Sequence, residues 1–518
     1  MSLPLLTLLM LVPVAFGAAV LSLPRAAGRG VARLALAGHG AVVLLTLGVL
    51  GRFDATSGGL QMVERHVWVP SLGVDYFLGL DGLGLVCVLL AAFVPLMAFG
   101  FSGRVAARRE GLYHALLLFL QGGLMGTFTA LNFFHWFLFW ELGLVPAYLL
   151  VRLFGGPKAG PASFQFFVYT MVGSVTLLLG FLALHAAGGS FDFIELAEFG
   201  KSGRLAKALA DKLPWAGVFA SGDALAVTVF LGVLLGFAVK VPLWPFHTWL
   251  PATYSEAPSP VTMVLTGVMS KMGVYGLLRI AMPIFPDQFR VCQGALVLLA
   301  LATVVLPTFA AFAQTDLKRV LAYSSVNHLG YCVLGIFILA PGATGPAWLE
   351  GAAAPALNGV VLQMLNHGLT SATLFGCVEL LEGRLESVRT LGRYGGLRAA
   401  VPVLTGLMGI SFFASVGLPG LNGFVGEFLI FKGVFASAPW AAAVASIGLL
   451  VTGVFLLTAM QKLFHGPLNA GESVVPDLNT RERWMVGVPV ALMFVLGIYP
   501  DLVLRLINPT LMRLAGSH

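Results

Sequence analysis

Residues 230–260 read FLGVLLGFAVKVPLWPFHTWLPATYSEAPSP. The run is apolar enough to enter a bilayer, yet Lys240 lies well inside it, and Pro242 and Pro245 follow within five residues. Proline removes a backbone donor and clashes with the turn before it. The stretch therefore predicts a membrane helix broken near its middle, with an ammonium beside the break. Irregular backbone and a charge persist at membrane depth where protein or water surrounds them. Lys240 reads as the centre of an ion path.

The whole chain has the composition of a bilayer protein. Of its 518 residues 58% are hydrophobic and 10% are charged, too few charges for the shell of a soluble domain. The length accommodates about fourteen spans of roughly 20 residues. Strands of alternating period are absent, which argues against an outer-membrane barrel. The net charge of +7 resides in short loops, where it sets topology; no basic patch with interleaved aromatics suggests a nucleic-acid partner. The four cysteines, Cys87, Cys292, Cys332 and Cys377, lie in or at the ends of apolar segments without CxxC spacing. They read as small core residues. No P-loop or dinucleotide fingerprint is present. We expect no cofactor and no metal in this chain.

The fold class expected is an all-α polytopic membrane protein of about 14 transmembrane helices. The apolar segments run from 3–23 to 485–507, and the seventh (224–250) and twelfth (402–435) are interrupted by proline and glycine. The N-terminal run lacks a basic flank before it and reads as the first helix, not a cleaved signal. Segments four to eight (112–283) and nine to thirteen (292–463) each hold one broken helix at a corresponding place, the pattern of two inverted five-helix repeats. Residues 1–111 precede them and 464–518 follow. Residues 52–81 and 188–222 are the long loops. Asp81 reads as the N-cap of the third helix. Lys201, Arg204, Lys207 and Lys212, interleaved with Leu205, Leu209 and Leu213, predict a short amphipathic interfacial helix. Basic residues concentrate after odd-numbered helices, among them Arg25, Arg29, Arg104, Arg108, Arg109, Arg389 and Arg393. This predicts those loops as cytoplasmic and both termini on the periplasmic side of a bacterial inner membrane.

Six titratable residues fall inside six different spans. Glu141 lies in the fifth, Lys240 in the seventh, Lys271 in the eighth, His328 in the tenth, His367 in the eleventh and Glu427 after the break of the twelfth. A carboxylate in lipid is costly unless protonated or paired, and Lys240 is the natural partner of Glu141. One such pair also serves as a static brace, and one histidine as a packing group. Six groups on six spans instead describe a polar row across the bilayer, tuned by burial and mutual charge. His114, His135, His185, His247, Glu256 and Glu379 are weaker candidates. Glu256 and Glu379 read as interfacial groups in reach of solvent, with a place beside a water entry as the alternative, and His247 is placed to cap the broken seventh helix.

FAVKVPLWPFHTWLPATYSEAPSP, AQTDLKRVLAYSSVNHLGY, LQMLNHGLTSATLF and ASVGLPGLNGFVGEF resemble, in order and spacing, the antiporter-like proton-pumping subunits of respiratory complex I and the related Mrp cation/proton antiporters. The resemblance covers nearly the whole chain. It implies a glutamate on helix five paired with a lysine in broken helix seven, here Glu141 and Lys240. It further implies a connecting lysine, Lys271, polar relays at His328 and His367, and a terminal protonatable group at Glu427. Some branches of the family place lysine at that last position; one places glutamate. The implied function is proton translocation coupled to quinone reduction in an NADH–quinone oxidoreductase, whose redox arm is on other chains. The implied partners are neighbouring membrane subunits of the L and N type and the lipid bilayer. A cation/proton antiporter, a membrane-bound hydrogenase and a carbon-dioxide-hydrating complex reuse this architecture and stand as the alternatives.

Overall fold

The computed structural model of the chain describes residues 3–24, 28–339, 348–386, 388–468 and 475–516; Arg25 lies outside them. Helices dominate because no other element satisfies its own backbone in lipid. They are α1 (Leu5–Ser22), α2 (Gly28–Leu50), α3 (Gly82–Phe101), α4 (Glu110–Thr129), α5 (Phe133–Phe154) and α6 (Ala159–Gly188). Two short helices follow, α7 (Phe193–Lys201) and α8 (Leu205–Lys212). Next come α9 (Gly222–Lys240), α10 (Trp249–Glu256), α11 (Ser259–Ile284), α12 (Pro286–Phe312), α13 (Leu317–Phe337) and α14 (Ala354–Glu382). The chain closes with α15 (Pro402–Val416), α16 (Asn422–Ser437), α17 (Pro439–Phe464), α18 (Thr480–Ile498) and α19 (Asp501–Gly516).

Among the described residues, eleven helices are long and apolar enough to cross a membrane, and the bent pair α18–α19 makes a twelfth. The remaining two expected spans are α14, whose 29 residues include His367, and the split pair α15–α16. Each of the fourteen apolar segments is thus helical.

Three expectations about the connections change. The 52–81 loop contains an antiparallel hairpin, β1 (Gln61–Val69) with β2 (Val74–Leu80). Its turn glycine, Gly73, has φ +63, a conformation that favours glycine. The interfacial segment forms two helices where one was expected; α8 does bury Leu205 and Leu209 as its pattern requires. The last segment turns by 64° at Tyr499–Pro500, because the residue before proline is driven out of helical geometry. Asp81 caps α3 as expected, accepting from Gly84 N at 3.1 Å.

The core lies at α11, whose residues are all buried except the partly exposed Arg279, whereas only about a third of α2 and of α17 is covered. Small residues let helix backbones approach closely in a bilayer, where lipid is as apolar as any side chain. A Cβ on Gly267 of α11 would meet Gly368 O of α14 at 3.2 Å, and one on Gly273 would meet Val241 N at 2.9 Å. These contacts fix α11 against α14 on one side and against the end of α9 on the other. Hairpin, α7, α8 and α19 lie on one face of the bundle. The arginine-rich loops lie on the other, where Arg104 pairs with Glu379, Arg384 with Glu482 and Arg389 with Asp316.

Candidate functional site

Two helix breaks frame the site. α9 ends at Lys240, and the chain resumes as a helix at Trp249. A helix end buried in a membrane needs partners for its orphan groups. Trp249 Nε1 donates to Val239 O at 3.0 Å, and Thr303 Oγ1 accepts from Trp244 N at 3.0 Å. His247, expected as a cap, contributes its backbone carbonyl to Leu250 N, while its ring Nδ1 has no partner. At the second break Asn422 is clamped to α14: Asn366 Nδ2 donates to Asn422 O at 2.6 Å, and Asn422 Nδ2 donates to Asn366 O at 3.2 Å.

Between the breaks, four of the six expected residues form one contiguous chain. Lys271 Nζ lies 2.7 Å from His367 Nδ1. The His367 and His328 rings are 5.3 Å apart between centroids. His328 Nδ1 lies 2.9 Å from Glu427 Oε1. All four are buried. The Gly267–Gly368 contact explains the first link, because Lys271 lies one turn after Gly267 and His367 immediately precedes Gly368. Lys271 also donates to Thr266 O and reaches Ser270 Oγ at 3.4 Å.

The other two residues differ from expectation. Glu141 and Lys240 form no ion pair among the described residues. Lys240 Nζ is buried without a hydrogen-bond partner and lies 4.8 Å from the centre of the Trp140 ring. Glu141 is half-buried, with Oε1 unpartnered. The residue beside Glu141, an indole, thus occupies the position the sequence reading gave to its carboxylate, and a cation–π contact stands where the ion pair was expected. The charges remain within electrostatic reach of one another.

Three contributors escaped sequence reading. Gln363 Nε2 donates to Glu427 Oε1 at 3.1 Å, and Ser415 Oγ lies 3.3 Å from His328 Nε2. Gln363 precedes His367 by four residues, so helical spacing on α14 was the signal. Trp140 carried none beyond its neighbour. The weaker histidines pack against rings: His185 on Phe191, His135 on Tyr76, His114 on Phe99. Glu256 and Glu379 line one cavity of about 400 Å³ on the arginine-rich face, together with Arg104, Lys318, Glu382 and Arg389.

A buried titratable chain strung between two broken helices of a multi-span bundle defines an antiporter-like membrane subunit. The comparisons agree. Residues 130–453 match the family described as NADH:quinone oxidoreductase/Mrp antiporter, TM, and the chain belongs to that family. It is 33% identical to NADH-quinone oxidoreductase subunit M of Rhodobacter capsulatus, over 99% of this chain and 97% of that one. It is also 33% identical to the F(420)H(2) dehydrogenase subunit M of Methanosarcina mazei, over 97% and 96%. In the structure of respiratory complex I from Thermus thermophilus with bound NADH, one chain superposes with a TM-score of 0.82 at 31% identity, covering 99% of both chains.

Proposed function

We propose that the chain translocates protons within a complex I-type quinone reductase, in a bacterial inner membrane, beside neighbours of the L and N type. The observation that carries this reading is the unbroken contact series Lys271–His367–His328–Glu427. Each member holds or releases a proton, and the charge of each depends on the state of the next, so the series titrates as a coupled unit. Lys240 feeds this series, and Glu141 tunes Lys240 through space. The chain needs no redox group for this work; electrons run through other subunits, and relatives named for NADH and for F(420)H(2) fit that division equally. The termini and the hairpin face the periplasm in this reading, and the arginine-rich face the cytoplasm.

The test is proton pumping by the assembled complex in proteoliposomes after Glu141→Gln, Lys240→Ala and Glu427→Gln. Reduced pumping in these variants is expected. Normal pumping and turnover in all three would sink the mechanism.

A further inference from the structure

On α11, Lys271, Tyr275 and Arg279 recur at intervals of four residues, which puts them on one stripe of the helix. The stripe runs from Lys271 toward the hairpin face over about 12 Å, at 1.5 Å per residue. It ends at a second buried charge cluster that the row does not use. Arg279 donates through Nη2 to Asp81 Oδ1. Asp81 is 3% exposed and the Arg279 side chain 11%. Arg279 Nε is buried with no partner. Directly above the pair lies a cavity of about 390 Å³ whose polar lining includes Asp81, Glu198, Lys201, Arg279, Thr510 and Arg513.

A structural brace accounts for the ion pair alone. It does not account for the rest of the arrangement. The guanidinium is left incompletely satisfied, at a cost, and it borders a charged cavity. Tyr275 lies between Lys271 and Arg279 on the stripe: its hydroxyl donates to Phe128 O at 3.3 Å, and Arg279 Cζ lies 5.7 Å from its ring centre. The Cys87 thiol, on α3, is within electrostatic reach of Lys271, Asp81 and Arg279 alike. α11 is also irregular at both ends of the stripe. It carries π turns at Leu265–Met269, before Lys271, and at Leu277–Ala281, around Arg279; such bulges concentrate at functional positions. The cavity is roofed by α19: Thr510 Oγ1 accepts from Gly82 N at 3.0 Å, next to Asp81.

We propose that Asp81 and Arg279 gate a proton outlet that opens from Lys271 directly to the hairpin face, separate from the route through Glu427. The Lys271 ammonium gives up its proton along the Tyr275 stripe and becomes a neutral amine. The Asp81 carboxylate takes a proton and loses its attraction to Arg279. Asp81 then releases the proton to water in the cavity and re-forms the pair, with Arg279 cationic throughout. The proposal rests on the translocation reading above.

The test uses the intact complex reconstituted in vesicles and driven by its own electron donor, reading protons delivered per quinone reduced. Tyr275→Phe keeps the ring and removes only the hydroxyl; Asp81→Asn keeps the size and removes the charge. Both are expected to lose pumped protons per quinone while the complex stays assembled. Unchanged stoichiometry in Tyr275→Phe would overturn the outlet, and that variant decides if Asp81→Asn fails to assemble. The two proposals fail separately. Impaired Glu427→Gln beside a normal Tyr275→Phe removes the outlet and leaves the row. Impaired Tyr275→Phe beside normal Glu141, Lys240 and Glu427 variants removes the row reading and leaves Lys271 with this outlet.

Discussion

The ammonium of Lys271 and the imidazole of His367 lie 2.7 Å apart, on helices whose backbones touch at Gly267 and Gly368. Donor and acceptor thus sit on helices that a glycine contact holds close together. His367→Leu leaves Lys271 with Thr266 O and a long contact to Ser270. Losing a hydrogen bond to a charged group costs about 1.5–3 kcal/mol. We expect a lower melting temperature of the solubilised complex and a loss of pumping. Gly368→Ala should act at a distance on the same link, because its Cβ would meet Gly267 O at 2.7 Å. Pumping that survives in Gly368→Ala would show that the helices can separate without breaking the relay.

Lys240 tests a different kind of support. Its ammonium faces the Trp140 ring at 4.8 Å and has no hydrogen bond. A desolvated cation–π contact contributes about 2 kcal/mol. Trp140→Phe keeps part of the ring's negative face, and Trp140→Leu removes it. Pumping and thermal stability should therefore fall in the order wild type, Phe, Leu. Equal behaviour of the two variants would assign Trp140 to packing alone.

The contrast between these two lysines shows where sequence reading reached its limit. Fourteen apolar runs, two proline- and glycine-marked breaks and six misplaced charges were all visible as departures from a uniform lipid-facing pattern. Which charges touch was not visible. The Glu141–Lys240 pair followed from opposite sign, but helix rotation presents Trp140 to the ammonium. Lys271 and His367 meet because of two glycines that look ordinary in the sequence. The hairpin escaped because its two strands lie within a stretch that reads only as a long loop between spans. α19 escaped because Pro500 sits within one continuous apolar run, where a bend and a straight span look alike. Asp81 was read as a cap, and it is one. Its second partner, Arg279, lies 198 residues away, a separation that local patterns do not bridge.

Gly417 makes the second break sensitive to a single methyl group. Its φ is +81, and a Cβ there would meet Glu427 Oε2 at 2.8 Å. Left-handed backbone disfavours other residues by about 1 kcal/mol, and the collision adds to that. Gly417→Ala is expected to displace the Glu427 carboxylate from His328 and Gln363. The measurable result is reduced pumping with the complex still assembled. Wild-type pumping would mean that the carboxylate moves freely enough to absorb the shift.

Asp477 supplies a prediction outside the membrane segments. Its carboxylate accepts from Val403 N at 2.7 Å and Leu404 N at 3.2 Å, closing the first turn of α15 from 74 residues away, and from the adjacent Leu478 N at 2.7 Å. Partial burial pushes the carboxyl upward, but these three amides and Arg483 outweigh it and hold it below its ordinary 3.8. A carboxyl depressed in the folded state contributes stability above its unfolded value, and that contribution is lost as pH falls through the folded one. The window therefore lies below about pH 4. Asp477→Ala should lower the melting temperature at neutral pH, consistent with a helix-capping contribution of about 1 kcal/mol. The gap between variant and wild type should close on acidification through that window. A gap that stays constant down to pH 3 would show that the side chain stabilises α15 by packing, not by its charge.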